Sequence, residues 1–537
     1  MSTLAARQLQ AQARRPHREG GRRVQAFALA GAESSPSFAS LLVRPAAAHG
    51  LAPSGGQEQP ICAVGPGQRC LHALTDKGQN ERLFAYERGV KERFDNIVPV
   101  LQEIAALQHQ RDFVSRAQTI AATRLGFGLP TAVLEDAWIK QLDMRALYAE
   151  CVFQTYMAVA NQQIETSAAE RNAVEQARRF FLDCGFHEVD ISPCADGRLK
   201  GLERFVLRLP LHALRSTKAY AGALFDVEGD LARWQRIELR RHRDADPNPA
   251  SEDTRYLKVA VYHLSSSKPC QEGCAAHGSD DGAAAEAALS RLNALRRAVE
   301  VSFPGASLDI LLVGVDTDTD SIRIHLPDGR GNISLARYIA SAEVYRATLG
   351  MDARSASQAV DAMIDQVTHT EGAGRGQGEP RAGMRRFLTH LLVSNLAQIE
   401  YVIHHHGGRY ADIGHQECFI AVGANQDAIQ LRNLAYYAHL DTVEEGAADV
   451  DVGVKIFRGL NVGHGLPIPV VVHYRYNEQV PGSRERAIER CKRVRQALLA
   501  RHAELAASGL LHCAMTVRGK ARGSRLELVG DAVAQGH

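Results

Sequence analysis

Apolar residues recur at every third or fourth position between about residues 80 and 177, and this spacing predicts α-helices. One segment shows the spacing most clearly, at Ile97, Val100, Leu101, Ile104 and Leu107. We therefore predict a helical N-terminal domain over residues 61–165, which offers no cluster of titratable side chains from which a reaction could be inferred.

Strand and helix patterns alternate from about residue 185 onward. Runs rich in β-branched and aromatic residues predict strands at "GFHEVDIS", at "RYLKVAVYHL" and on both sides of the acidic turn in "LDILLVGVDTDTDSIRIHLP". Helices are predicted from Ser279 to Phe303 and from about Pro380 to His404. Such alternation favours an α/β layer around a largely parallel sheet, here over residues 166–415.

The last part of the chain, residues 416–537, repeats this pattern. We predict strands at "ECFIAVG", "DVDVGVKIF", "PIPVVVHYRYN" and "LLHCAMTV", with helices at "QLRNLAYYAHL" and from Ser483 to about Leu505. The predicted fold class is therefore α/β (α+β), with a helical N-terminal domain followed by two units of similar construction.

Length and composition agree with a multi-domain globular protein. The 537 residues exceed the ~250–300 that one core usually serves. We find no apolar run near the ~18 residues that would span a membrane, and no signal peptide. A net charge of +2 gives no reason to expect nucleic acid as a partner. We therefore expect a location in the cytoplasm or in a compartment assembled within it.

Residues 1–60 differ from the rest of the chain. They contain seven arginines against three glutamates, and most other positions are Ala, Gly, Ser, Pro or Gln. Such a segment cannot bury enough apolar surface to offset the entropy of ordering it. We predict a disordered basic arm, which is either a passive tail or a docking segment for an acidic partner.

The motif "CADGR" follows the predicted strand "GFHEVDIS" and carries the first candidate chemistry. Cys194, Asp196 and Arg198 occupy alternate positions, so an extended backbone would place their side chains on one side. The Arg198 guanidinium can pair with the Asp196 carboxylate through two hydrogen bonds, which keeps the carboxylate ionised. The alternative is a glycine turn with a surface salt bridge.

His263 and Cys274 complete a candidate metal site. His263 stands at the carboxyl end of its predicted strand, and Cys274 follows just before a predicted helix. Because sites in α/β sheets form at the carboxyl ends of strands, Cys194, His263 and Cys274 can converge at one sheet edge. Two thiolates and one imidazole favour zinc, and three protein ligands leave its fourth position open for catalysis.

Other arrangements of these residues remain open. A local site could use Cys270 with Cys274, or Cys274 with His277, and a lone histidine on a strand is often only a core residue. The run "HHHGGRY" at residues 404–410 could bind metal, but after a helix it more simply caps the helix end. His415 in "DIGHQE" is a candidate proton shuttle. Zinc-deaminase, H-E-x-x-H and P-loop signatures are absent from the sequence.

Several long motifs resemble those of one known family. They are "FFLDCGFHEVDISPCADGRLKG", "CAAHGSDD", "ILLVGVDTDTDSIRIHLP", "GMRRF", "LAYYAHLDTVEE" and "PGSRER". The chain resembles the carboxysome shell carbonic anhydrases, a divergent branch of the β-class, from about residue 75 to its end. The resemblance implies a helical N-terminal domain, a catalytic domain, and a C-terminal domain that looks like a duplicate without zinc.

The same resemblance implies an activity and its residues. One zinc per chain would be held by Cys194, His263 and Cys274, and Asp196 with Arg198 would form the catalytic dyad. The reaction would be CO2 + H2O = HCO3− + H+, carried out with a zinc-bound hydroxide. Asp196 would accept the hydroxide's hydrogen bond and so orient its attack on carbon dioxide.

The resemblance also implies a location and partners. The enzyme would supply carbon dioxide to Rubisco inside the carboxysome, and the basic arm would tether it to Rubisco or another internal protein. A homodimer or higher oligomer is expected. The rival interpretations are a zinc hydrolase, and a carboxysome structural or interaction protein whose zinc has a fourth protein ligand such as Cys270 or His277.

Overall fold

The computed structural model describes residues 71–530, apart from 168–170, 211–212, 215–216, 244–254, 303–307, 370–377, 425–428, 441 and 522. The predicted basic arm, residues 1–60, lies outside the described residues. In the part of the chain that is described, no helix combines the length and the apolar character needed to cross a bilayer.

The N-terminal part of the described chain is helical, as predicted. Its helices are α1 (Lys77–Asp95), α2 (Ile97–Ala105), α3 (Phe113–Arg124), α4 (Thr131–Asp136) and α5 (Met144–Ser167). The Asp76 side chain caps α1 by accepting the Gln79 N–H. The predicted apolar face of α2 is buried, at Ile97, Val100, Leu101 and Ile104.

The next unit contains a five-stranded sheet among the described residues, in the order β1-β2-β3-β4-β5. Its elements are α6 (Arg171–Asp183), β1 (Phe186–Pro193), α7 (Val227–Arg243), β2 (Arg255–Leu264), α8 (Asp281–Ser302), β3 (Leu308–Asp316), β4 (Ile322–Pro327), β5 (Ile333–Ala340), α9 (Ser341–Thr348), α10 (Ala353–His369) and α11 (Ala382–His406). Strands β1, β2 and β3 are parallel, whereas β4 and β5 are antiparallel additions at one edge. The α/β class is therefore confirmed.

The C-terminal unit is built on a second five-stranded sheet, again counted over the described residues, in the order β10-β9-β8-β6-β7. Its elements are β6 (Phe419–Gly423), β7 (Ala435–His439), α12 (Val443–Leu460), β8 (Ile468–Tyr476), α13 (Ser483–Arg501), α14 (Ala503–Ala507), β9 (Leu511–Gly519) and β10 (Leu526–Leu528). Strands β7, β6, β8 and β9 are parallel, and β10 is antiparallel to β9.

Two predictions in the C-terminal unit are wrong. The segment "QLRNLAYYAHL" contains strand β7 rather than a helix, because its short apolar run fits either structure and every residue of β7 is buried. The segment "DVDVGVKIF" lies inside helix α12 rather than in a strand. The alternation of apolar and polar residues in this segment predicts a strand, but the buried residues Val450, Val454 and Phe457 follow helical spacing.

Candidate metal centre

The two parallel strands β1 and β2 bring three potential metal ligands together. Cys194 directly follows β1, and its N–H donates to the Val261 carbonyl of β2 at 3.0 Å. His263 lies near the carboxyl end of β2, and Cys274 precedes a short turn that leads to α8. The ligand atoms of Cys194, His263 and Cys274 all lie within 4.8 Å of one another, and the three residues are buried.

The distance between the two thiol sulfurs tests whether a metal ion fits. The Cys194 Sγ and Cys274 Sγ atoms are 3.8 Å apart. Two sulfurs that each lie ~2.3 Å from one tetrahedral ion are separated by about 3.8 Å, whereas a disulfide requires ~2.05 Å. The spacing and the donor set of two thiols and one imidazole therefore fit a zinc ion.

Burial and their mutual contacts shift the pKa values of all three residues. The neighbouring Cys274 thiol and burial raise the pKa of Cys194 well above its ordinary value, while the hydrogen bond from Cys194 lowers the pKa of Cys274. Burial lowers the pKa of His263, but the carboxylate of Asp196 and the Cys194 thiol outweigh burial and raise it to about 9. A divalent cation that bound here would therefore have to displace protons from Cys194 and His263.

Asp196 and Arg198 form a buried ion pair beside the three ligands. Arg198 Nε donates to Asp196 Oδ1 at 2.9 Å, and Arg198 Nη2 donates to Asp196 Oδ2 at 2.8 Å. Their side chains are 4% and 0% exposed, so the alternative of a surface salt bridge is wrong. The backbone is not fully extended, because the Asp196 carboxylate caps a short turn by accepting the Arg198 N–H.

The Arg198 guanidinium also fixes neighbouring backbone. Its Nη1 donates to the Glu272 carbonyl at 2.6 Å and to the Ile413 carbonyl at 3.1 Å. Although burial raises the pKa of the Asp196 carboxyl, the adjacent Arg198 charge lowers it well below its usual range. Asp196 is therefore held ionised and in one orientation, and the same guanidinium holds the loop that carries Cys274.

The acidic turn after β3 holds the other side of that loop. The Ser265 hydroxyl donates to Asp318 Oδ2 at 2.9 Å, and the Ser266 hydroxyl donates to Asp316 Oδ2 at 2.7 Å. Both serines precede Cys274 in the segment that follows β2. The acidic turn, which the sequence marked only as a connection between strands, therefore shapes the path of the chain to the third ligand.

The remaining candidate ligands lie elsewhere. Cys270 is exposed, and the His277 ring contacts the Gly222 carbonyl, so neither joins the group of three. His404, His405 and His406 lie in the last turn of α11, as expected for residues at a helix end. In the C-terminal unit, Cys418, Cys491 and Cys513 are buried and belong to no potential metal-binding group among the described residues.

Comparison with known proteins now decides the family. Models of the carboxysome shell carbonic anhydrase match the chain in three parts: the N-terminal domain at residues 72–164, the catalytic domain at 176–415 and the C-terminal domain at 416–533. The chain belongs to the carboxysome shell carbonic anhydrase family.

Relatives named as carboxysome shell carbonic anhydrases cover most of the chain. The protein of Halothiobacillus neapolitanus is 48% identical over 476 residues, which span 88% of this chain and 93% of the relative. That of Parasynechococcus marenigrum is 49% identical over 468 residues, or 86% of this chain and 79% of the relative. That of Hydrogenovibrio crunogenus is 43% identical over 455 residues, or 83% and 84%.

In this member of the family, residues of the C-terminal unit also build the site, which the sequence did not reveal. The Tyr437 N–H donates to the Ala195 carbonyl at 3.1 Å, and the Asn433 N–H donates to the Gly197 carbonyl at 2.8 Å. Strand β7 thus pairs with the loop that carries Cys194 and Asp196. We call this contact the seam, defined by the backbone bonds of Ala195 and Gly197 to Tyr437 and Asn433.

The glycine at position 197 is a sequence feature from which the seam could have been predicted. A Cβ atom at this position would lie 2.3 Å from the Cγ atom of Glu417, which is far too close for any real contact. Glu417 is completely buried at the start of the C-terminal unit. The glycine of "CADGR" is therefore required by a close approach of the two units, rather than by a left-handed backbone.

A small cavity of about 20 Å³ opens beside Cys194, one of the three candidate ligands. Residues that line it include Cys194, Asp196, Thr217, Gln430 and Tyr437, so both units contribute to its wall. A cavity needs roughly 10–15 Å³ to hold one water molecule. The space therefore suits a very small reactant.

Proposed function

We propose that this chain is a zinc carbonic anhydrase, which interconverts carbon dioxide and bicarbonate inside the carboxysome. The observation that carries the proposal is the buried Cys194–His263–Cys274 group lying beside an Asp196 carboxylate clamped by Arg198. Membership of the carboxysome shell carbonic anhydrase family supports both the reaction and the location.

Cys194, His263 and Cys274 would hold one zinc ion per chain. When bound, zinc acts as a Lewis acid that lowers the pKa of a coordinated water from ~15.7 to ~7. The three residues supply two thiols and one imidazole and leave a tetrahedral ion one further position. Because all three residues are buried, solvent water cannot compete with them for the ion.

Asp196 would orient the reacting oxygen. The positive charge of Arg198 keeps the Asp196 carboxylate ionised. The carboxylate can therefore only accept a hydrogen bond. A carboxylate that accepts the single proton of the nucleophile fixes the direction of the nucleophile's lone pairs. Arg198 in turn fixes the orientation of Asp196, because two hydrogen bonds hold both carboxylate oxygens, and Asp196 Oδ2 lies 3.2 Å from His263 Nε2.

The structure gives less support to the two rival functions. A hydrolase with a larger substrate would need more space than the cavity of about 20 Å³ beside Cys194 and Asp196. A structural zinc would need a fourth protein ligand, and neither Cys270 nor His277 joins the group of three among the described residues. A small linear reactant such as carbon dioxide suits both observations.

The proposal is tested by measuring zinc content and stopped-flow carbon dioxide hydration on the full-length protein. We expect about one zinc per chain, because the donor set binds one ion. We also expect hydration that is lost when zinc is removed by a chelator and regained when zinc is returned. A zinc-loaded protein without hydration activity would contradict the proposal.

We further propose that carbon dioxide formed in the carboxysome serves Rubisco, and that the basic arm at residues 1–60 tethers the enzyme to Rubisco or another internal protein. The expectation rests on charge, since clustered arginines associate with acidic surfaces in a salt-dependent way. Deletion of residues 2–60 should leave hydration intact but weaken binding to Rubisco at low salt. Equal binding by both forms, or binding insensitive to salt, would contradict the tether.

The division into domains at residues 61–165, 166–415 and 416–537 and the expected homodimer or higher oligomer remain proposals of the same kind. Light scattering coupled to gel filtration measures the oligomer directly. A monomer at micromolar concentration would contradict the expected assembly.

A further inference from the structure

A completely buried carboxylate stands where the two units meet, beside the proposed site. Glu417 Oε1 accepts the Gly197 N–H at 3.1 Å and lies 2.9 Å from His415 Nδ1. The other oxygen, Oε2, is buried and has no hydrogen-bond partner within the described chain. Among the described residues, no lysine or arginine forms an ion pair with Glu417, whose salt bridge is with His415.

His415 connects this carboxylate to Asp196. While its Nδ1 faces Glu417, its Nε2 lies 3.7 Å from Asp196 Oδ2. The same Asp196 oxygen accepts Arg198 Nη2 at 2.8 Å. The His415 side chain is 18% exposed, whereas those of Asp196 and Glu417 are almost fully buried.

This arrangement is a poor way to stabilise a fold. A buried carboxylate is unfavourable unless its oxygens are fully hydrogen-bonded, and one oxygen of Glu417 is not. Glu87 is also buried and also has one oxygen, Oε1, without a hydrogen bond, but that oxygen lies 2.7 Å from the Lys91 ammonium, and Oε2 accepts the Tyr401 hydroxyl. Glu417 is therefore better explained by what it does to His415 and to the turn at Gly197.

We propose that Glu417 and His415 are positioning residues, which hold the Asp196 carboxylate in its paired position against Arg198, where Asp196 Oδ2 also lies 3.2 Å from His263 Nε2. Glu417 acts through two contacts: it fixes the turn by accepting the Gly197 N–H, and it orients the His415 ring by accepting from Nδ1. His415 then presents Nε2 to the Asp196 oxygen that Arg198 also contacts. This inference rests on the proposed carbonic anhydrase function.

The charge on His415 supports this role. Burial lowers the pKa of His415, but the carboxylates of Asp196 and Glu417 outweigh burial and the nearby Arg198 charge and raise it to about 9. The ring is then an imidazolium at neutral pH, with a proton on each nitrogen. Removing the Glu417 charge should lower the pKa of His415 and weaken its hold on Asp196.

The decisive variant is Glu417→Gln, because it keeps the volume and an oxygen that can accept the Gly197 N–H, while it removes the charge. We expect the pKa of His415, measured by NMR titration of its ring protons, to fall by about 1–3 units. We expect kcat for carbon dioxide hydration to fall about tenfold, with KM and the zinc content of one per chain unchanged. His415→Gln should reproduce the kcat loss, and it serves if Glu417→Gln does not fold.

Glu87→Gln is the matched control. Glu87 is also a buried carboxylate beside an imidazole, since Glu87 Oε2 lies 3.4 Å from His406 Nε2. Its substitution should leave kcat and the pKa of His415 unchanged.

The outcomes separate the two proposals. Wild-type protein that holds zinc but does not hydrate carbon dioxide overturns the proposed function. Active wild-type protein, together with a Glu417→Gln variant that has unaltered kcat and an unaltered pKa of His415, overturns the positioning role. Loss of zinc from Glu417→Gln also overturns it, because Glu417 would then support the ligands rather than Asp196.

Discussion

Equivalent strands of the two sheets are followed by different residues. In the catalytic unit, the residue after β1 is Cys194, and its N–H donates to Val261 of the neighbouring strand at 3.0 Å. In the C-terminal unit, the residue after β6 is Ala424, and its N–H donates to His473 of the neighbouring strand at 2.9 Å. The residue that makes this backbone contact therefore has a thiol side chain in one unit and a methyl side chain in the other.

The second ligand position differs as well. His263 lies two residues beyond Val261 on β2, and the residue two beyond His473 on β8 is Arg475. A permanently charged guanidinium cannot bind a cation. The C-terminal sheet edge thus lacks a metal ligand at both positions, although the order and parallel pairing of β6, β8 and β9 match those of β1, β2 and β3.

The C-terminal unit still contributes to the candidate site, through the edge strand β7. All five residues of β7 are buried, because its outer edge pairs with the catalytic loop across the seam. A sheet without a ligand set of its own can therefore still support the neighbouring candidate site.

The largest effect should come from the proposed ligands. Replacing Cys194, His263 or Cys274 by Ala should reduce zinc to near zero per chain and hydration to the buffer background. The other potential metal group among the described residues, Asp196 with His415 and Glu417, offers no thiol. Zinc is measured by mass spectrometry and hydration by stopped flow. Cys270→Ala is the control, and full zinc in Cys274→Ala with none in Cys270→Ala would contradict the assignment.

The dyad should have the next largest effect. Asp196→Asn should retain zinc but lower kcat by about 100-fold or more, because an amide is a poorer acceptor than a carboxylate. Arg198→Ala should be nearly as damaging, since it frees a buried Asp196 carboxylate from its partner. Unchanged turnover in either variant would reduce the dyad to a pair that only stabilises the turn.

The seam is tested through Gly197. Gly197→Ala should lower the free energy of unfolding by about 1–3 kcal/mol, because the new methyl group meets the buried Glu417 side chain. Adding Glu417→Ala removes the side chain that the new methyl group meets. The changes that the two substitutions make in the free energy of unfolding, measured by chemical denaturation, should therefore be strongly non-additive. Gly459→Ala, in α12 and with open space around it, is the control. Additive effects would show that the units approach less closely at this point.

The smallest effect is expected from the thiols of the C-terminal unit. Substituting Cys418, Cys491 and Cys513 together by Ser should leave zinc at one per chain and kcat unchanged, because none belongs to a potential metal group in the described chain. These thiols are buried, so some loss of thermal stability is expected. A loss of half the zinc would reveal a second site and remove the contrast between the units.

Much of the catalytic unit was predictable from local pattern. The run "RYLKVAVYHL" coincides with β2, since a β-branched and aromatic segment in a central parallel strand has few alternatives. Residue type at strand ends was enough to suggest Cys194, His263 and Cys274, and the structure brings them together. Their role as zinc ligands remains a proposal.

What the sequence could not reveal depends on contacts between distant segments. Strand β7 was predicted as a helix, because its five buried residues show no alternation when both faces and the outer edge are covered. Glu417 carried no motif at all, and its importance follows only from the position of Gly197 in space. Backbone pairing across the seam requires no regular pattern of apolar and polar residues in either segment.

The seam also sets an order of assembly. The hydrogen bond from Gly197 to Glu417 joins residues 220 positions apart. At a synthesis rate of ~5–20 residues per second, about 10–40 s separate the appearance of these two residues at the ribosome. Because such distant pairings form late, the thiols of the catalytic loop emerge well before the segment that holds the loop in place. The final shape of the loop can therefore be acquired only after about four-fifths of the chain has been synthesised.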